Sequence, residues 1–270
     1  MTLMANTRMY NVSPRVEAAW SDLVAATSRL SDVALCVLDH PAPRPVEDLW
    51  ARRDLGLVMM CGWPFHRASP RPEAVAAPVM ADERAGGRPI YWTDMIVDAE
   101  GPAQTLEQTF GGTLAWTVSS SHSGFNAPRH LLRPHFERAG AALYRDTVGP
   151  VVTPRGSIDA VLSGRATVAP LDGYFHALLK RHEPKTAARL RVVATTPAAP
   201  MPLFTASPGT APNIVARLRD ALIALRDDPD GAETLAALCL SGFAPVDIAE
   251  YGLGDFWEAE AIRANYPFPA

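Results

Sequence analysis

Lysine is nearly missing from this chain. Its 270 residues contain two, Lys180 and Lys185, and basic residues never run beyond a pair such as Arg52-Arg53 or Lys180-Arg181. With a formal net charge of −4, no patch exists that could follow a phosphate backbone, so a nucleic-acid partner is excluded. Cysteine is also scarce. Cys36, Cys61 and Cys239 form no Cys-x-x-Cys pair and are odd in number, so neither a disulfide framework nor a thiolate metal site is expected. Each sits in apolar company, which reads as a small buried hydrophobe, reduced and unpaired. The longest apolar runs, Val33–Leu38 and Leu55–Cys61, are too short to span a bilayer and read as strands. No Gly-x-Ser-x-Gly elbow, Walker loop or spaced His/Cys/Asp/Glu metal set is present, so no cofactor or metal is expected. His130 and His135 read as the polar face of a helix. The first ten residues lack the apolar core of a secretory leader, and Asp22, Arg29 and Asp32 spoil the one lipoprotein-like stretch, Val33–Cys36. As it stands the chain reads as unexported unless a leader is missing.

What remains is globular: 48% hydrophobic, 20% charged, long enough for two lobes. Short β-type runs alternate with helical patterns, which predicts an α/β fold with largely parallel sheets. Strands are expected at Arg8–Val12, Asp32–Leu38, Leu55–Met60, Ala74–Met80 and Arg88–Val97, then at Thr113–Thr117, Thr147–Val152, Thr167–Leu171, Leu190–Thr195 and Leu203–Ala206. Helices are expected from Pro14, over Val46–Arg52 and Ala103–Gln108, from His122 to about Ala139 with breaks at Pro128 and Pro134, and over Ser157–Leu162 and Gly173–Arg181. Three more are expected over Ala211–Arg226, Gly231–Leu240 and Phe256–Ala264. This order implies lobe one from 1 to 96 plus 194 to 270, lobe two from 97 to 193, and two hinge crossovers.

The densest chemistry lies in Ser119-Ser120-Ser121-His122-Ser123-Gly124-Phe125-Asn126. A strand that enters a Ser/Gly-rich turn and then a helix leaves backbone N–H groups without intrahelical partners. The positive end of the helix dipole stands behind them, and small hydroxyls add donors without blocking approach. The plain alternative is helix capping by serine.

Several further stretches fit one pattern in order and spacing. They are Tyr91-Trp92-Thr93 with Ile96-Val97, the Ser121–Asn126 turn, Gly156-Ser157-Ile158-Asp159-Ala160-Val161 with Gly164, Val168-Ala169 with Leu171-Asp172, and Leu240-Ser-Gly-Phe-Ala-Pro245. In these the sequence resembles the phosphonate-binding (phosphate, phosphite and phosphonate) family of ABC-transporter substrate-binding proteins, from Tyr10 to about Tyr251. The resemblance implies a two-lobe type II periplasmic-binding-protein fold with a ligand held in a cleft between the lobes. The implied ligand is a small oxyanion or zwitterion, and the implied partner of an exported protein is an ABC permease.

Matched position by position, Ser121, His122, Ser123 and Gly124 form the oxyanion turn, with His122 standing where a hydroxyl residue is usual. Asp172 matches the acidic residue that in some relatives meets a ligand amino group, and it serves equally well as a helix cap. Tyr91, Trp92 and Thr93 fall on the first crossover, where strand alternation turns one of the two rings to the core. Cys61-Gly62 replaces an aromatic-Gly pair, leaving Trp63 or Tyr10 to supply the ring. Arg155 stands near a position where relatives carry His, and its charged fork suits an anion. Two other readings remain: an enzyme on the same scaffold, akin to the pyrimidine-precursor synthases of thiamine biosynthesis, with His122 and Asp172 as an acid/base pair, or an intracellular ligand sensor.

Overall fold

The computed structural model describes residues 2–269. In chain order the strands are β1 (Leu3–Asn6), β2 (Leu35–Val37), β3 (Leu55–Met60), β4 (Glu73–Met80), β5 (Ile90–Tyr91), β6 (Thr93–Asp98) and β7 (Thr113–Ala115). They continue with β8 (Asp146–Val148), β9 (Ala169–Asp172), β10 (Leu190–Thr195), β11 (Ala199–Pro200), β12 (Leu203–Ala206) and β13 (Leu240–Ala244). The helices are α1 (Pro14–Ser31), α2 (Val46–Trp50), α3 (Gly62–Arg67), α4 (Ala127–Ala139), α5 (Pro154–Leu162), α6 (Gly173–His182), α7 (Pro184–Ala187), α8 (Pro212–Ala224), α9 (Pro229–Ala237) and α10 (Leu253–Arg263).

These elements form two compact units. One runs up to Ile90 and resumes over Pro200–Tyr251; the other covers Tyr91–Ala199 and resumes at Gly252. The first is built on a six-stranded sheet in the order β13-β4-β12-β3-β1-β2. Strand β3, Leu-Gly-Leu-Val-Met-Met, is buried along its whole length, as a central strand covered on both faces must be. Helix α1 opens with Ser13 Oγ accepting from Val16 N–H and with Pro14 at its first position, the N-terminal pairing that capping favours. Its apolar stripe of Val16, Trp20, Leu23 and Val24 is buried, and Trp20 meets Phe204 of β12 edge-on at 6.0 Å.

The second unit is smaller-stranded. A three-stranded sheet runs β10-β6-β9, and a parallel pair joins β7 to β8. Its core gathers Met95, Val97, Leu106, Leu114, Leu132 and Tyr144. Arg191 donates to the backbone carbonyls of Ala99, Gly101 and Ala103, which ties down the loop after β6.

Several expectations fail for identifiable reasons. The sheets are mixed: β12 runs antiparallel to β3 and β4, β13 to β4, and β6 to both β9 and β10. The first strand is Leu3–Asn6, and Arg8–Tyr10 is one 3-10 turn, because Asn6 Oδ1 accepts from Arg8 N–H and turns the chain out of the sheet. The helix expected at 103–108 is only a 3-10 turn at Glu107–Thr109, since Gln108 Oε1 binds the Gln104 and Thr105 amides instead. Pro134 lies inside α4 without dividing it; the break falls before Ala127. Residues 252–269 were expected with the first lobe, yet they pack in the second unit, where Gly254 and Pro267 accept hydrogen bonds from Asn126 and Arg129. Cys36 is exposed rather than buried, because β2 is an edge strand; Cys61 is buried, Cys239 half-buried, and none of the three is in a disulfide.

Candidate functional site

The Ser-rich turn of the second unit is a single π turn, His122–Asn126, set directly against the start of α4. Asn126 N–H reaches back to the Ser121 carbonyl at 3.1 Å, the five-residue spacing of that geometry. Such single turns are an uncommon feature concentrated at functional sites. Ser121 is the cap: its Oγ accepts from Gly124 N–H at 2.9 Å. Gly124 is required here, because a Cβ would collide with the Thr117 side chain.

Ser123 differs from its neighbour. Thr93 Oγ1 donates to its carbonyl at 3.1 Å, and its half-buried hydroxyl makes no protein hydrogen bond among the described residues. One serine therefore caps the turn while the other keeps a donor available. The turn stands at the carboxyl end of β7. In the separate three-stranded sheet, Thr93 of β6, which donates to Ser123, pairs with Asp172 at the carboxyl end of β9. Strand carboxyl ends are where α/β folds hold ligands.

His122 is buried, 5% exposed, and lies among rings. Trp257 stacks on it at 5.1 Å and 22°, and Tyr91 stands at 6.2 Å. Burial, and secondarily the neighbouring His130, push its pKa down to about 4, so the imidazole is neutral at physiological pH. Asp172 Oδ1 accepts from the amides of Tyr174 and Phe175 at 2.9 and 3.1 Å; it is the N-cap of α6. Among the described residues no three His, Cys, Asp or Glu side chains gather to hold a metal.

Residues 46–251 match the family model described as ABC transporter, phosphonate, periplasmic substrate-binding protein. The chain belongs to this family. Its folds agree too. A binding-protein component of an ABC phosphonate transporter from Pseudomonas aeruginosa matches with a TM-score of 0.81 and 17% identity, over 98% of this chain and 87% of that one. PhnD1 of Prochlorococcus marinus, in complex with methylphosphonate, matches with a TM-score of 0.77 and 14% identity, over 97% and 98%. A Xanthomonas citri protein bound to ATP matches with a TM-score of 0.65 and 19% identity, over 98% of each chain. Among curated proteins none is recognisably similar in sequence. The architecture is that of the type II periplasmic binding proteins, and the family is one of substrate-binding proteins of ABC transporters, not of enzymes.

In this phosphonate-binding-family chain the other candidate residues take varied roles. Trp92 is buried against Gly173, whose amide donates to the Trp92 carbonyl, and Tyr91 is buried at 1% exposure. Arg155 is a correction. Its two Nη atoms hold the Glu183 carboxylate at 3.0 and 2.7 Å, and its guanidinium carbon lies 6.0 Å from the Phe175 ring centre. The fork expected to meet an anion is thus filled by an anion of the protein itself.

In the first unit Gly62 and Trp63 open α3, and a Cβ on Gly62 would strike the Tyr251 ring. Tyr10 and Trp63 are both deeply buried, Trp63 beneath Arg67 at 5.3 Å.

Reasoning from sequence missed a second buried constellation. His176 Nδ1 lies 2.7 Å from Asp94 Oδ2, and Thr195 Oγ1 donates to Asp94 Oδ1 at 2.8 Å. It also missed Trp257 and Arg129. No spacing signal could have found them, since each partner comes from a distant element.

Proposed function

We propose that this protein is a solute receptor that takes a small oxyanion of the phosphonate or phosphate class at the Ser121–Asn126 turn, and that an ABC permease is its partner. The observation that carries this reading is the division of labour inside the turn. Ser121 closes the cap on the Gly124 amide, while the Ser123 hydroxyl makes no protein hydrogen bond among the described residues and can donate to a ligand. Family membership over residues 46–251 and the methylphosphonate bound to PhnD1 of Prochlorococcus marinus support the ligand class.

The cation at the turn, Arg129, is held by Asn126 Oδ1 and the Pro267 carbonyl, His122 is neutral, and Arg155 is engaged by Glu183. Affinity would therefore come from N–H and O–H donors and the helix dipole, with few ionic contacts. The ligand is sorted by shape and hydrogen bonding more than by charge. Asp172 already spends Oδ1 on the cap of α6.

Thermal melts with phosphate, sulfate and methylphosphonate test the reading. At least one of them should raise the melting temperature with occupancy, and Ser123→Leu, which fills the space with an apolar side chain, should abolish the rise. A wild-type melt unmoved by all three ends the proposal.

A further inference from the structure

We propose that residues 252–269 form a positioning brace for the oxyanion turn, with Trp257 as the residue that sets His122 in place, so that anion binding and docking of this segment are coupled. The proposal rests on the anion-binding reading above.

The brace holds the turn at successive points. Trp257, 4% exposed, lies between two imidazoles, His122 at 5.1 Å and 22° and His130 at 4.3 Å and 5°. Four residues on, the Asn126 amide donates to the Gly254 carbonyl at 2.8 Å. The same amide's oxygen accepts from Arg129 Nη2 at 2.8 Å, and Arg129 Nη1 donates to the Pro267 carbonyl at 2.9 Å. One amide and one guanidinium thereby tie the start of α10 and the segment that follows it to the turn and to the first turn of α4. Phe268 meets Phe125 at 5.5 Å and Trp116 at 5.2 Å, so the strand leading into the turn is gripped as well.

Packing alone does not explain this arrangement. Asn126 and Arg129 are buried, at 0% and 3% exposed, and their side-chain donors go to backbone carbonyls of 252–269. If that segment lifted, both would lose partners in the interior, which is the expensive way to lose a hydrogen bond. The charged groups of the assembly stand behind the indole: Glu260 of α10 lies 3.3 Å from His130 and 3.4 Å from Arg133 of α4. His122 packs against rings from two elements, Trp257 and Tyr91, and feels the neighbouring His130. A segment that fixes the ligand-holding groups must in turn be fixed by the ligand, because coupling between two sites is reciprocal.

Sulfate is a suitable probe for the test, since it does not titrate in the working range. Hydrogen exchange of amides in 252–269 should slow when wild-type protein is saturated with sulfate. Trp257→Ala should weaken sulfate binding by about 5–150-fold, the usual span of a coupling between sites, while Trp257→Phe, which keeps an aromatic face, should recover most of the affinity. The proton titration of His122 followed by NMR should move from near 4 in wild type toward the ordinary imidazole value in Trp257→Ala. That movement is not produced by a general loss of stability.

A folded Trp257→Ala protein with wild-type sulfate affinity overturns the brace, and so does exchange in 252–269 that ignores saturating sulfate. If Trp257→Ala does not fold, the exchange experiment on wild type and the Trp257→Phe affinity decide the matter. Failure of the underlying reading looks different: wild type then binds neither sulfate nor methylphosphonate, and the coupling falls with it.

Discussion

His122 and His176 lie in the same unit, buried to 5% and 2% exposure, and they are handled in opposite ways. His176 on α6 meets a carboxylate, Asp94 of β6, at 2.7 Å, and Thr195 of β10 completes that carboxylate's hydrogen bonding. The pair stitches a helix to two strands of the three-stranded sheet. His122 meets rings: Trp257 stacked on one side and Tyr91 nearby. Satisfying a buried imidazole with an internal anion makes it structural, because nothing is left for a ligand to complete. Burial among aromatic faces, with His130 nearby, keeps it neutral instead. The residue type is the same, and its environment assigns the role.

Breaking the structural pair gives the largest effect. Asp94→Ala leaves a buried imidazole and the Thr195 hydroxyl without their acceptor, and loss of one partner of a buried pair costs about 3–5 kcal/mol. Urea unfolding should show that loss, while sulfate affinity of the folded protein moves far less. If Asp94→Ala is as stable as wild type, the pair is not the stitch described.

The other histidine should show itself through pH. In the unfolded chain its imidazole titrates near 6.5, and in the folded protein at about 4. Between these values the unfolded state binds the extra proton, so His122 contributes stability that is fully present above pH 6.5. That contribution fades as pH falls toward 4, and it is worth on the order of 3 kcal/mol. His130, also held below its ordinary value by burial, titrates in the same sense, with Glu260 opposing and Arg133 adding to the shift. Urea unfolding at pH 7 and pH 4.5 should therefore cost wild type more stability than His122→Gln. Sulfate should bind more tightly as pH drops through this window, because an anion favours the protonated ring. Equal pH slopes in the two proteins would refute the assignment.

The same contrast recurs within the turn, between its two half-buried serines. Ser121→Ala removes a cap and should lower unliganded stability by about 1 kcal/mol. Ser123→Ala removes a donor that makes no protein hydrogen bond. It should leave the unliganded melt nearly unchanged while costing about 1.5–3 kcal/mol of anion affinity, one to two decades. Calorimetric titration beside thermal melts separates the two, and reversed outcomes would exchange the roles.

Local structure was legible in the sequence where local physics decides it. The apolar run at 55–60 is strand β3, the Asp172 cap starts α6, and the Ser121–Asn126 stretch does form a strand-to-helix turn. Expectation failed where pairing between distant segments decides. Strand direction in the mixed sheets, the packing of 252–269 against Asn126 and Arg129, and the Asp94–His176 contact across 82 residues leave no periodic trace. Arg155 shows the limit most clearly. Its charge was readable, but the helix was expected only from Ser157, and Glu183, 28 residues on, was needed to say where that charge goes.

The smallest expected effect therefore belongs to Arg155. The ion pair with Glu183 is bidentate, with distances of 3.0 and 2.7 Å, yet its side chains remain 33% and 28% exposed. A pair that wet contributes about 0.2–1 kcal/mol, somewhat more than a single-contact pair because the fork matches the carboxylate. Arg155→Gln should lower stability within that span, and the loss should shrink in high salt as the charges are screened. Phosphate or sulfate affinity should stay close to wild type, since the guanidinium is engaged by Glu183 and lends little to a ligand. A tenfold or greater loss of anion affinity in Arg155→Gln would place this arginine in the binding set after all. It would also mean that the Glu183 pair opens when ligand arrives, which Glu183→Gln, by freeing the guanidinium, should then mimic as a gain in affinity.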